Sequence, residues 1–147
     1  MSMSKVNMQP ILDEWAKRVD VKAKEIANNF DKGLLKAALF CEGEAKKNAM
    51  EMIYNTDIPS GANGKPRWKR TGLYKAAIGS GIDANSNHSA IVFNTAPYAR
   101  IIEYGSSDAY GAKNPGRRGR PIITSSIFNN KPQIKIIIEK YLKEVVR

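Results

Sequence analysis

The chain is poor in the residues from which catalytic and metal sites are most often built. It has one cysteine, Cys41, and one histidine, His88, in 147 residues. A lone cysteine excludes an internal disulfide, and one Cys with one His cannot complete a zinc site by themselves. The acids show no Asp-x-Asp spacing and the chain no His-x-x-x-His, so neither a metal nor a cofactor is expected. Nucleophilic and general acid-base chemistry require a base beside a nucleophile. His88 falls in a polar, turn-like stretch from Asp83 and reads as a solvated turn residue. Cys41 shares an apparent helix face with Leu34, Ala38 and Ala45 and reads as a small buried hydrophobe. No enzyme is expected.

Long apolar runs are also missing. No stretch approaches the roughly 18 residues that a membrane span needs, and Met1-Ser2-Met3-Ser4-Lys5 has no continuous apolar core of the kind a secretory signal carries. The expectation is a product that stays in the cytoplasm where it is made and has no membrane partner. Nucleotide binding is excluded on similar grounds. Gly61-Ala62-Asn63-Gly64-Lys65-Pro66 is the nearest approach to a phosphate-binding loop, but Pro66 stands where Ser or Thr is needed and lacks an amide to offer. No helix-turn-helix or zinc-finger pattern is present, which argues against direct reading of a DNA sequence.

Acids are scarce in one part of the chain only. Residues 1–57 hold nine bases and nine acids, whereas residues 58–147 hold fifteen bases and five acids, so the net charge of +10 belongs entirely to the second part. Lys65, Arg67, Lys69 and Arg70 form one basic run, and Lys113, Arg117, Arg118 and Arg120 another. Trp68 lies within the first and Tyr110 precedes the second, a mixture of cations and aromatics that suits contact with DNA backbone or an acidic partner. The alternative is a pair of solvated loops whose charge aids solubility.

What is present reads as one α+β domain over residues 1–147, of ordinary hydrophobic content (42%) and long enough to bury a core unaided. A helical part is expected over about 10–54 and a mixed α+β part over about 70–147. Pro10 suits a first helical turn, and Ile11, Trp15, Val19, Ala23, Ile26 and Phe30 recur at helical spacing. Asn28, Asn29, Asp31 and Gly33 then predict an end or a bend, before a second stripe from Leu34 to Ile53. Two helices, or one long kinked helix, both satisfy the pattern. Pro59 to Pro66 reads as an exposed loop. Thr71 is a candidate N-cap for a short turn containing Leu73, Ala76 and Ala77. Ile78–Ile82 and Ala90–Asn94 should form an antiparallel hairpin. Thr95 as cap and Pro97 in the first turn predict a short helix over Tyr98–Glu103, ended by Gly105. Ser106–Gly119 reads as a long loop, and Ile134, Ile137, Ile138, Tyr141, Leu142 and Val145 make the apolar face of a final helix packed on the sheet.

Several of these segments fall in a telling order. Arg70-Thr71-Gly72-Leu73 precedes an apolar run, and Ala96-Pro97-Tyr98-Ala99 leads into Ile102-Glu103-Tyr104-Gly105. A Gly- and Pro-rich loop follows, and then Arg120-Pro121-Ile122-Ile123 running toward the last helix. From about Ala45 onward this resembles the neck or tail-completion proteins of long-tailed bacteriophages. The resemblance implies a structural virion protein that joins head connector and tail by binding alone. It would form a ring, of six copies by expectation, between head-closure and tail-terminator proteins. It also implies that Thr71, Gly72, Leu73, Tyr98, Ala99, Glu103, Tyr104, Gly105 and Pro121 are structural motif positions. By the residues alone, Glu103 is either a buried carboxylate or a rim residue paired with Arg100. Two other functions fit the sequence: a tail terminator or head-closure protein of the same region, and a basic accessory protein that binds nucleic acid.

Overall fold

The computed structural model of the chain describes residues 7–55, 63–64, 71–106 and 117–146. The fold is α+β. Its spine is a helix, α1 (Gln9–Ala49), that runs on into a π-helical turn at Met50–Tyr54. A four-residue helix, α2 (Leu73–Ala76), leads into the hairpin of β1 (Ile78–Ile82) and β2 (Ala90–Asn94). A short helix α3 (Ala99–Tyr104) follows, then two brief strands, β3 (Gly105–Ser106) and β4 (Arg117–Arg118), and finally α4 (Ile122–Phe128) and α5 (Lys131–Val146).

Of the two arrangements that the pattern allowed, the chain forms the single helix, and α1 is continuous through Asn28–Gly33. The polar residues there serve tertiary contacts instead of ending the helix. A Cβ on Gly33 would lie 3.2 Å from the Cα of Ile138, so glycine lets α5 cross closely. The Asn29 side-chain amide donates to the Tyr141 carbonyl at 3.0 Å. Asp31 meets the His88 ring at 2.9 Å. Helix propensity is a weak preference that packing of this kind overrides.

The core forms where the C-terminal half of α1 meets the hairpin and α4. Ala45, Ala49, Tyr74, Ile78, Ala96 and Ile122 make one buried cluster, with Val92, Ile102 and Ile123 packed against it. Small residues on α1 admit close approach, and Cys41, 2% exposed, lies on the same face as expected. The hairpin has the expected register, with Ile78 opposite Asn94 and Ile82 opposite Ala90. One face, with Ile78 and Val92, joins the core, while Ile91 and Phe93 point the other way and are exposed. The Phe93 ring covers Gly79 across the strands, so closely that a Cβ on Gly79 would meet it at 2.8 Å.

Four details depart from the sequence reading. The principal partner of α5 is α1 and not the sheet. The expected Ser106–Gly119 loop has strands at its ends, since Gly105 pairs with Arg118 and Ser106 with Arg117, while residues 107–116 lie outside the described residues. The apolar segment after Pro121 is itself a helix, α4. Finally, α3 starts at Ala99 with neither Thr95 nor another side chain as cap. Asn94 takes the local role instead, its Oδ1 accepting from the Ala96 amide at 2.8 Å and its Nδ2 donating to the Tyr74 carbonyl at 2.9 Å.

Candidate functional site

The sequence motifs converge on one junction between α2, α3 and the start of α4. Its centre is Glu103, 8% exposed on the last turn of α3. Oε2 accepts from the backbone amides of Ile122 at 2.9 Å and Ile123 at 3.1 Å, and Oε1 from that of Thr124 at 2.7 Å. A helix start leaves such amides without intrahelical partners, and the helix dipole there favours negative charge. Glu103 therefore caps α4 from a different element. It is a buried carboxylate, and the alternative of a rim pair with Arg100 does not occur.

Pro121 occupies the position before α4, where its lack of an amide costs nothing and its fixed φ suits a helix entrance. Gly105 has φ of +79°, which glycine adopts freely, and turns the chain out of α3. Gly119 completes the crossing, since a Cβ there would lie 2.6 Å from the Tyr104 carbonyl carbon and 2.7 Å from the Glu103 oxygen. Arg120 is fixed to this frame. Its amide donates to the Ile102 carbonyl at 2.6 Å and its guanidinium to the Met52 carbonyl at 2.7 Å, at the π-helical end of α1. Arg120, a candidate contact for DNA or a partner, is exposed, and part of its donor set also holds the fold.

The first motif reaches the same place through Tyr74, the residue after Leu73. Tyr74 is 2% exposed and stacks with Tyr98, ring centroids 6.4 Å apart. Burial, and next the charge of nearby Glu103, push its hydroxyl up to about 12. That hydroxyl has no hydrogen-bond partner among the described residues. Thr71 Oγ1 accepts from the Leu73 amide at 3.3 Å, but the cap position itself falls on Gly72, at φ of +76°. Ala99 opens α3 and packs against the core, whereas Leu73 and Tyr104 are exposed, Tyr104 at 75%.

Lys65, Arg67, Lys69, Arg70 and Lys113 fall outside the described residues, as does most of the Pro59–Pro66 loop. Arg117 and Arg118 are placed by their backbone as β4. His88 is half-exposed in the turn between β1 and β2, with φ of +52°, and its Asp31 contact is a tie to α1. Burial and then Glu44 push the Cys41 thiol up, away from a reactive thiolate. Among the described residues, no three metal-ligating side chains cluster, and no helix is long and apolar enough to cross a membrane. Sequence reasoning missed Asn94 and Asn48, whose side-chain amide donates to the Ile122 carbonyl at 3.1 Å; an Asn at a strand end or on a helix gives no signal of so distant a target.

No protein-family model, curated protein or solved structure matches this chain.

Proposed function

We propose that this protein is a structural component of a bacteriophage neck. It forms a ring that joins the head connector to the tail, and it acts by binding alone. One observation carries the reading furthest. Of the motif positions that resemble the neck or tail-completion proteins, Glu103, Gly105 and Pro121 build a single junction at the start of α4, and Tyr98 reaches its edge by stacking on Tyr74, the residue after Leu73. A set of chance matches has no reason to share one locus. Glu103 buries its carboxylate against backbone amides, as a scaffold residue does, and Tyr104 stands outside on the rim, where an exposed aromatic suits a protein partner. The excess of bases in residues 58–147 suits a neighbour of opposite charge, either an acidic ring surface or passing DNA. The protein would be made in the host bacterial cytoplasm and end in the virion, with head-closure and tail-terminator proteins as neighbours.

Deleting the gene from its phage tests this directly. Electron microscopy of the lysate should show filled heads and separate tails that do not join. Normal numbers of intact, infectious particles would falsify the assignment. Tails of uncontrolled length would point to the tail terminator instead, and heads that lose their DNA to head closure.

A further inference from the structure

Every residue from Asn7 through the first half of α1 to Ile26 is exposed, yet this stretch is far from polar throughout. Met8, Leu12, Trp15 and Val19 follow one another at alternating steps of four and three, the spacing of a seam that packs against another element. Their exposures run from 51% to 66%. The same stepping continues through Lys22, Ile26, Asn29 and Gly33, where the end of α5 comes alongside and covers Asn29 and Gly33. Lys22 donates to the Val145 carbonyl, Asn29 to that of Tyr141, and Gly33 packs on Ile138. The uncovered seam is thus the continuation of an established packing face beyond the end of α5. A second apolar face lies bare on the hairpin, where Ile91 and Phe93 stand opposite Gly81 and Gly79.

We propose that these two faces are partners between copies: the N-terminal half of α1 from one copy lies across the outer face of the β1–β2 hairpin of the next. This rests on the ring reading above and names its contact. The dimensions agree, since Met8 to Val19 spans about 17 Å of helix and a five-residue strand about 17 Å. Charge agrees as well. Residues 7–26 hold four acids and four bases, and the four hairpin residues hold none, so this is where copies of a chain of net charge +10 approach without mutual repulsion. Because the faces differ, each copy that donates a helix still offers a free hairpin. Such head-to-tail contacts propagate and can close into a ring, whereas pairing of two α1 seams would stop at a dimer.

Sedimentation of the purified full-length chain over a range of concentrations tests the contact. The wild type should self-associate. Trp15→Glu with Val19→Glu should weaken association by roughly 30-fold or more, and Ile91→Glu on the opposite face should do the same. Circular dichroism and melting should stay at wild type, because neither site joins the core. A Trp15→Cys chain mixed with an Ile91→Cys chain should be joined by a short bis-maleimide, with little product from either alone. A monomeric wild type, unchanged association in the variants, no product in the mixture, or efficient joining of Trp15→Cys to itself would each overturn the proposal. The neck reading fails separately: particles that assemble normally without the gene reject the function while leaving a measured contact intact. Heads and tails joined normally by the Trp15→Glu, Val19→Glu chain reject the contact while leaving the function.

Discussion

The Glu103 carboxylate and the Ile122 amide, 19 residues apart in the chain, meet at 2.9 Å in the protein interior. With Ile123 and Thr124 as further donors, one side chain replaces the capping residue that α4 lacks in its own sequence. Removing it leaves the partly buried amides of Ile123 and Thr124 without that acceptor and Ile122 with only its bond to the Arg120 carbonyl. Glu103→Ala should therefore cost about 2–4 kcal/mol, read as a fall in the melting midpoint of several degrees. Glu103→Gln keeps one acceptor oxygen and should cost roughly half as much. Equal losses for both would show that side-chain volume, not hydrogen bonding, is what matters at this position.

Tyr74 gives a prediction of opposite sign. Its hydroxyl is buried without a partner among the described residues, and burial holds it up to about 12 against the usual 10. A tyrosine held neutral in the fold contributes stability that is full below pH 10 and declines between 10 and about 12, as the unfolded chain ionises first. Tyr74→Phe removes the unpaired hydroxyl and keeps the ring against Tyr98. Stability at neutral pH should stay level or rise by about 1 kcal/mol, and the alkaline decline should become shallower. Denaturant melts at pH 7 and pH 11 check both parts, and a marked loss at pH 7 would contradict them.

How much of this was legible in advance depended on whether the cause was local. The hairpin follows from apolar Ile91, Val92 and Phe93 bounded by turn residues, and α5 from a stripe that every one of Ile134, Ile137, Ile138, Tyr141, Leu142 and Val145 fits. Continuity of α1 through Asn28–Gly33 was legible only as one of two alternatives, because the reason for Gly33 is Ile138, far along the chain. Glu103 could be singled out as an acid in an apolar setting, but its targets could not be named, since they are amides that become orphans only once α4 exists. The tie from Arg120 was not legible for the same reason, since its Met52 partner lies far back along the chain.

Gly119 tests the junction through sterics alone. A methyl group there would press on the Tyr104 and Glu103 backbone at 2.6 and 2.7 Å, and backbone cannot rotate away as a side chain can. Gly119→Ala should cost about 1–3 kcal/mol or more. Gly43→Ala is the control, since a Cβ there meets nothing within 4 Å in mid-helix. It should stabilise by about 0.5–1 kcal/mol. Thermal melts of the two variants should move in opposite directions, and two shifts of the same sign would refute the close crossing at Gly119.

The basic run at the end of β4 divides into two roles that mutagenesis can separate. Arg120 donates to the Met52 carbonyl, at a helix end where carbonyls lack intrahelical partners, so Arg120→Ser should cost about 1 kcal/mol of stability. Arg117 and Arg118 pair with Ser106 and Gly105 through backbone, which serine preserves, so the double change to Ser should leave the melting midpoint near wild type. Its effect should fall on joining. Removing two cations from a surface that meets DNA phosphates lowers the salt dependence of binding by about two in the log–log slope, and against an acidic protein it slows encounter most at low salt. Joining assays at low and high salt would therefore show a defect for the Arg117, Arg118 pair that shrinks as salt rises, while the Arg120 defect persists at both. If the pair joined normally at low salt, their charge would serve solubility alone, and the partner-facing cations would have to be sought among Lys65, Arg67, Lys69, Arg70 and Lys113.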